Sequence, residues 1–162
     1  MNYTIRPAKE SDIPEMIEVF NFFVHNSYAS YSEIELEPEF FQQLRECALA
    51  IIVLEVDHKI VGFAYIKPYL AYKNCQLSGV LTYFILPLYT GKGFGAMMLD
   101  KLLEAAKSYN MKHLLAHISS RNEQSLRFHK KHGFVECGRF NDIGTKFGHT
   151  FDVVWMQKTV DQ

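Results

Sequence analysis

The sequence predicts an α/β fold in which a mixed, mostly antiparallel central sheet is flanked by helices. Three observations lead there. Short apolar runs of β character and longer runs of helical period are interleaved along all 162 residues, the pattern of a layered α/β domain. The β runs at 49–56 and 60–66 are joined through Asp57-His58, a hairpin-length turn with His where Gly is more usual. The β run at 80–86 is followed by a glycine loop, a helix and another β run at 112–118, an order that makes those two strands parallel neighbours.

In chain order, residues 3–6 alternate as a short strand. Ser11 stands as the N-cap of a helix that carries Ile13, Met16, Ile17, Phe20, Phe23 and Val24 at helical spacing, with Pro14 tolerated in its first turn. Residues 26–37 have no clean period and read as a loop of a length that often carries function. Pro38 opens a second helix through Phe41 and Leu44. Pro87 stops the strand at 80–86, and Gly91, Gly93 and Gly95 lead into a helix bearing Met98, Leu99, Leu102 and Ala106. Asn122 caps a later helix with Leu126, Phe128 and His129; Lys130, Lys131 and His132 suit its C-terminal dipole and Gly133 its C′ position. Residues 134–140 and 151–156 are closing strands, joined by a loop that contains Gly144 and Gly148. No repeat, low-complexity tract or linker interrupts the chain, so one domain, 1–162, is expected.

Bulk composition removes whole classes of function. A net charge of −1 gives no electrostatic footprint for nucleic acid or an anionic membrane. The longest uncharged run, 74–91, is broken by polar residues and Pro87 and reads as loop plus buried strand rather than a membrane span. Cys47, Cys75 and Cys137 are too far apart in sequence for a C-x-x-C pair, and read as buried thiols of a cytoplasmic protein. No signal-peptide pattern is seen at the N-terminus, and the histidines form no metal-ligand spacing.

The strand–glycine loop–helix segment is an anion site in outline. Free N–H groups and the macrodipole meet at the helix start, and glycines let the backbone come close to a phosphate. Two nucleotide readings fail. Lys92 is not followed by Ser or Thr, so the magnesium ligand of a Walker A loop is missing. Gly91-x-Gly93-x-x-Ala96 fits a dinucleotide fingerprint, but the end of the next strand reads His117-Ile118-Ser119-Ser120 where a ribose-binding acid belongs.

Thr90-Gly-Lys-Gly-Phe-Gly95 after a Pro-ended strand, with Asn122-Glu-Gln-Ser-Leu-Arg-Phe-His129 and Gly133-Phe134 further on, resembles the GNAT acetyltransferase superfamily. Thr4-Ile-Arg-Pro-Ala8, Ala29-Ser-Tyr-Ser32, Val61-Gly-Phe-Ala64 and Lys146-Phe-Gly-His-Thr-Phe-Asp152 look like its phosphinothricin and methionine sulfone acetyltransferase branch, in order along the chain. The resemblance implies a GNAT-like fold and direct transfer of acetyl from acetyl-CoA to the amine of a small amino-acid-like acceptor, without a metal, in a homodimer. It places the cofactor on Phe84, Ile85, Thr90, Gly91, Lys92, Gly93, Phe94, Gly95, Ala96, Asn122, Ser125 and His129. Asn122 and His129 carry the catalytic expectation, His129 as the acid that protonates the leaving thiolate, although Asn122 is equally an N-cap and His129 equally a packing residue. Tyr31, Ser32, Lys146 and His149 are the expected acceptor contacts.

The chain departs from the pattern at two positions. Thr90 stands where relatives carry Arg or Gln, and Val80 stands where the branch carries the Glu that draws a proton from the amine. A valine accepts no proton, so His117, Glu33 or Glu35 takes that role, or the acceptor amine needs little help. A lysine amine of pKa near 10.4 costs about 4 kcal/mol to deprotonate at pH 7.5, whereas an α-amine near 7.8 is already roughly one-third neutral. A weak acyl-CoA-binding module is the competing expectation.

Overall fold

The computed structural model describes residues 1–161. Seven strands form one sheet in the order β1-β2-β3-β4-β5-β7-β6. They are β1 (Tyr3–Pro7), β2 (Ala50–Val56), β3 (Lys59–Pro68), β4 (Ser78–Ile85), β5 (His113–Ser119), β6 (Val135–Lys146) and β7 (His149–Thr159). Among the described residues only β4 and β5 run parallel, joined by the helix α3 (Phe94–Ser108). The helices α1 (Ile13–Asn26) and α2 (Pro38–Cys47) pack Met16, Phe23, Phe41 and Leu44 against Phe63 and Phe84 on one face of the sheet. On the other face α3 buries Met98, Leu99 and Leu102 against Leu114 and Met156, with α4 (Glu123–Lys131) at its margin. No helix among the described residues is long and apolar enough to cross a membrane.

The β2–β3 hairpin turns on Asp57 and His58 at φ 47° and 67°, the doubly positive geometry of a type I′ turn adopted here without glycine. Three expectations need correction. Ser11 does not cap α1. A single 3₁₀ turn (Glu10–Asp12) precedes the helix, and the Asp12 carboxylate serves the Lys9 N–H (2.7 Å) and the Arg6 guanidinium (2.7 and 3.0 Å). That bidentate pair holds the Asp12 pKa below the usual carboxylate range. The closing strands are also longer than expected. Gly144 lies inside β6, and the connection shrinks to Phe147 and Gly148, both at positive φ, between the paired Lys146 and His149. Finally, Cys47 and Cys137 are exposed and Cys75 is half-buried, so the thiols are not core residues.

Candidate active site

β4 and β5 pair only at Ser78–His113, Gly79–Leu114 and Val80–Leu115; beyond Val80 they diverge. On its other side β4 stays fully paired with β3, and Leu86 N–H donates to Val61 O (2.9 Å). Strand alternation then turns the main-chain groups of Thr82 and Phe84 toward β3 and those of Tyr83 and Ile85 into the gap. Of the two expected main-chain contacts, Ile85 is therefore well placed. Phe84 is not: its peptide groups belong to the β3 ladder, and its ring packs between Phe20, Phe23 and Phe63.

Two cavities open at this gap. One, of about 390 Å³, runs past Ile85 to Thr90, Gly91, Gly93, Gly95 and Ala96. Gly91 and Gly93 sit at φ 72° and 87°, which L side chains rarely adopt, and Gly93 is the residue from which α3 starts. Met97 N–H is the first to close onto Gly93 O, leaving the N–H groups of the first turn without an intrahelical acceptor. A Cβ at Gly95 would stand 3.2 Å from the Phe128 ring, so glycine there keeps the passage between loop and α4 open. The Phe94 side chain turns away into the core beside Tyr3, and the Lys92 ammonium lies over the Tyr89 ring outside the lining, so these two offer backbone and diffuse charge only. Lys131 and His132, read in the sequence merely as dipole partners, line the cavity, and Lys131 supplies the cationic side chain that Thr90 lacks. Thr90 Oγ donates to Pro87 O at 2.8 Å.

The second cavity, about 500 Å³, lies on the α1/α2 face. Sheet register explains its walls: Lys67 pairs with Val80 and Tyr65 with Thr82, while His117, two residues beyond the partner of Val80, pairs with Trp155. These alternate positions share one face, a signal present in the strand period but invisible until the strands are aligned. Tyr31 and Ser32 from the 27–37 loop complete the wall. Lys67 is the only lysine in that lining, which among the described residues contains no arginine, aspartate or glutamate. The two cavities share Ala29, Tyr83, Phe84, Asn122 and Ser125 and so meet beside Tyr83.

At that junction His129 is 2% exposed. Its Nδ1 lies 2.7 Å from Ser125 O, which can only accept, so Nδ1 carries the hydrogen. Its Nε2 is therefore the acceptor for the Tyr83 hydroxyl at 2.5 Å. Burial lowers the His129 pKa to about 4 and raises that of Tyr83 well above 10. At neutral pH the histidine is uncharged and the tyrosine protonated, so the hydrogen between them sits on Tyr83, a residue passed over in the sequence as one more apolar-strand position. Asn122 caps α4, its Oδ1 accepting from Ser125 N–H (3.3 Å), and also lines both cavities.

Lys146 and His149, expected to meet the acceptor, lie outside both linings. Lys146 is fully buried, and its ammonium donates to Phe23 O (3.1 Å), Ser27 O (2.5 Å) and Ser30 O (2.7 Å). His149 is exposed at the β6–β7 turn and absent from either lining. Of the carboxylates considered as substitute bases, Glu33 accepts from Phe147 N–H (3.0 Å) and Glu35 pairs with His25 (2.8 Å); neither lines a cavity.

The buried neutral His129 makes stability depend on pH. The unfolded chain takes up this proton near pH 6.5 and the folded chain only near 4, so the contribution is complete above 6.5 and is lost as pH falls toward 4. Over that window the loss from this residue is on the order of 3 kcal/mol. Urea unfolding at a series of pH values is expected to show a steeper decline for the native chain than for H129Q; equal slopes would contradict a buried neutral imidazole.

Residues 14–134 match the profile of the Acetyltransferase (GNAT) family. The L-amino acid N-acyltransferase MnaT of Escherichia coli K12 is 24% identical, covering 98% of this chain and 95% of that protein. A phosphinothricin N-acetyltransferase of Alcaligenes faecalis is 28% identical, covering 98% and 83% respectively. A GNAT superfamily phosphinothricin acetyltransferase of Sinorhizobium meliloti, solved in complex with AcCoA, superposes with a TM-score of 0.90 at 22% identity, covering 99% of this chain and 89% of that one. With a matching profile over most of its length and a sheet opened between β4 and β5 above a glycine loop, this chain belongs to the acetyltransferase (GNAT) family.

Proposed function

We propose that the protein is an acetyl-CoA-dependent N-acetyltransferase acting on the amine of a small, anionic, amino-acid-like acceptor. The observation that carries this reading is the meeting of two cavities at Tyr83, one ending on a glycine-opened helix N-terminus and the other holding Lys67. The names of the relatives, which act on L-amino acids and phosphinothricin, support the same acceptor class. The residues fit acetyl-CoA: first-turn N–H groups of α3 with Lys131 and His132 suit a pyrophosphate, and the Tyr83 and Ile85 peptide groups suit an amide-bearing arm. Acetyl-CoA supplies the activated acetyl group.

The chain's own residues do the rest. Lys67 holds the acceptor's anionic group, and a main-chain N–H in the β4–β5 gap faces the carbonyl oxygen as charge builds on it. The amine nitrogen attacks, the C–N bond forms and the C–S bond breaks. The attacking nitrogen passes its proton to the Tyr83 oxygen as the Tyr83 hydroxyl, turning from His129 Nε2, gives its own hydrogen to sulfur, so neither thiolate nor tyrosinate is left. His129 holds the Tyr83 hydroxyl in line.

Homodimer formation and a cytoplasmic setting complete the proposal. Val135, Phe140 and Ile143 are exposed on the edge strand β6, which supports cover by a second copy, read directly by sedimentation equilibrium. Three free thiols, two of them exposed, suit a reducing compartment.

A thermal-shift panel of acetyl-CoA, CoA, NAD and ATP tests the cofactor, and thiol release with an amine library tests the reaction. Acetyl-CoA and CoA are expected to stabilise the protein, NAD and ATP not. No stabilisation by acetyl-CoA ends the proposal, and stabilisation without turnover favours a binding module. K67M is expected to raise KM about 10- to 100-fold for a carboxylate acceptor, the range of one charged hydrogen bond, and to leave its methyl ester unaffected.

A further inference from the structure

We propose that His117, held by Tyr31, is the base that takes the proton from the acceptor ammonium in this chain. The inference rests on the acetyltransferase reading above and concerns the group that does the work Val80 cannot do. Val80 lines the acceptor cavity at 7% exposure and pairs with Leu115 of β5. His117 lies two residues further along β5, on the same face, so a basic atom has moved one strand sideways into the same cavity.

The surroundings make this imidazole a usable base. Tyr31 Oη lies 2.8 Å from Nδ1, and the His117 ring packs between Tyr31 and Trp155 at centroid distances of 5.5 and 4.9 Å. With Nδ1–H donating to the Tyr31 oxygen, Nε2 keeps its lone pair for the amine. That bond survives protonation, when the ring must donate from both nitrogens. Desolvation and the Lys67 charge push the His117 pKa below 6.5, so the ring is unprotonated at neutral pH.

The groups facing His117 are few. β3 offers Lys67 and β4 offers Val80 and Thr82. From β7 come Trp155 and, at the alternate positions, Val153 and Gln157; the loop contributes Tyr31, whose pKa burial raises above its ordinary value. None is a carboxylate. The ammonium gives one proton to Nε2, which passes it to solvent; the neutral nitrogen then attacks, and its second proton leaves with the thiol.

The test starts from wild-type protein that turns over an amino-acid acceptor. H117Q is expected to lower kcat about 10²- to 10⁴-fold, the usual worth of a positioned base, with an unchanged acetyl-CoA thermal shift. The loss should be greater for acceptors of high amine pKa than for those of low pKa, and the acid limb of the kcat/KM profile should disappear. Adding V80E to H117Q is expected to restore part of the rate. Independently of turnover, imidazole NMR of the acetyl-CoA-free protein should show His117 neutral at pH 7 and shifted on adding the acceptor. H117Q with wild-type rate and pH profile, or His117 resonances indifferent to the acceptor, overturns the assignment while leaving the acetyltransferase reading intact. Absence of acetyl-CoA stabilisation in the wild type defeats that reading instead.

Discussion

Replacing Lys146 with Met is expected to cost about 1–3 kcal/mol of folding stability for each carbonyl left without a donor, the cost of an unsatisfied buried acceptor. The cause lies in the acceptors. Ser27 O and Ser30 O receive the ammonium at 2.5 and 2.7 Å, and a methionine of similar length gives them no donor. Phe23 O loses less, because Ser27 N–H also reaches it. The three carbonyls make use of the three hydrogens of an ammonium, although burial lowers the Lys146 pKa and only the Glu33 charge opposes that. The same residue fixes the loop through Ala29, Ser30, Tyr31 and Ser32, all of which line the acceptor cavity. K146M is therefore expected to raise acceptor KM more than it weakens acetyl-CoA binding, measured below its lowered melting temperature. Urea unfolding gives the stability term. A variant with wild-type stability and only a raised KM would mean that Lys146 meets the substrate rather than the loop.

The case of Lys146 shows where sequence reading ends. Gly144 and Gly148 were legible only as parts of a loop, and Lys146 between them reads as an acceptor contact; its burial depends on the end of α1 and the loop after it, 116–123 residues away in sequence. Patterns carried by one segment were readable: the α1 stripe of Met16, Phe23 and Val24, the Asp57-His58 turn, the glycine loop and the Asn122 cap. The extent of β6 was not, because an edge strand with most positions exposed has no apolar alternation to betray it. The active site was half visible for a related reason. Gly91, Gly93 and Gly95 announce themselves by residue type, whereas Tyr83, Lys67 and Trp155 acquire meaning only when β3, β4, β5 and β7 are put in register. The divergence of β4 from β5 is a property of two strands together, and nothing in residues 80–86 taken alone states it.

Tyr83→Phe is expected to lower the single-turnover rate about 10²- to 10⁴-fold, the range for loss of a positioned proton donor. Acetyl-CoA affinity should hold, because the ring that lines both cavities remains. Stability should fall by about 1–3 kcal/mol, since His129 Nε2 loses the hydroxyl that satisfies it inside the protein. Single-turnover conditions matter, because slow product release would hide the chemical step. The comparison with H129Q separates the two possible acids. If Tyr83 is the donor and His129 only holds it in line, H129Q retains more activity than Y83F. The double variant then falls little below Y83F, because the pair acts as one unit. If His129 were the acid, Y83F would stay active and H129Q would collapse, with a kcat profile falling as a group near pH 4 gives up its proton. The burial of His129 and its Nδ1–H bond to Ser125 O place the first outcome ahead: the imidazole accepts at Nε2 throughout the neutral range, and the proton beside the junction is on Tyr83.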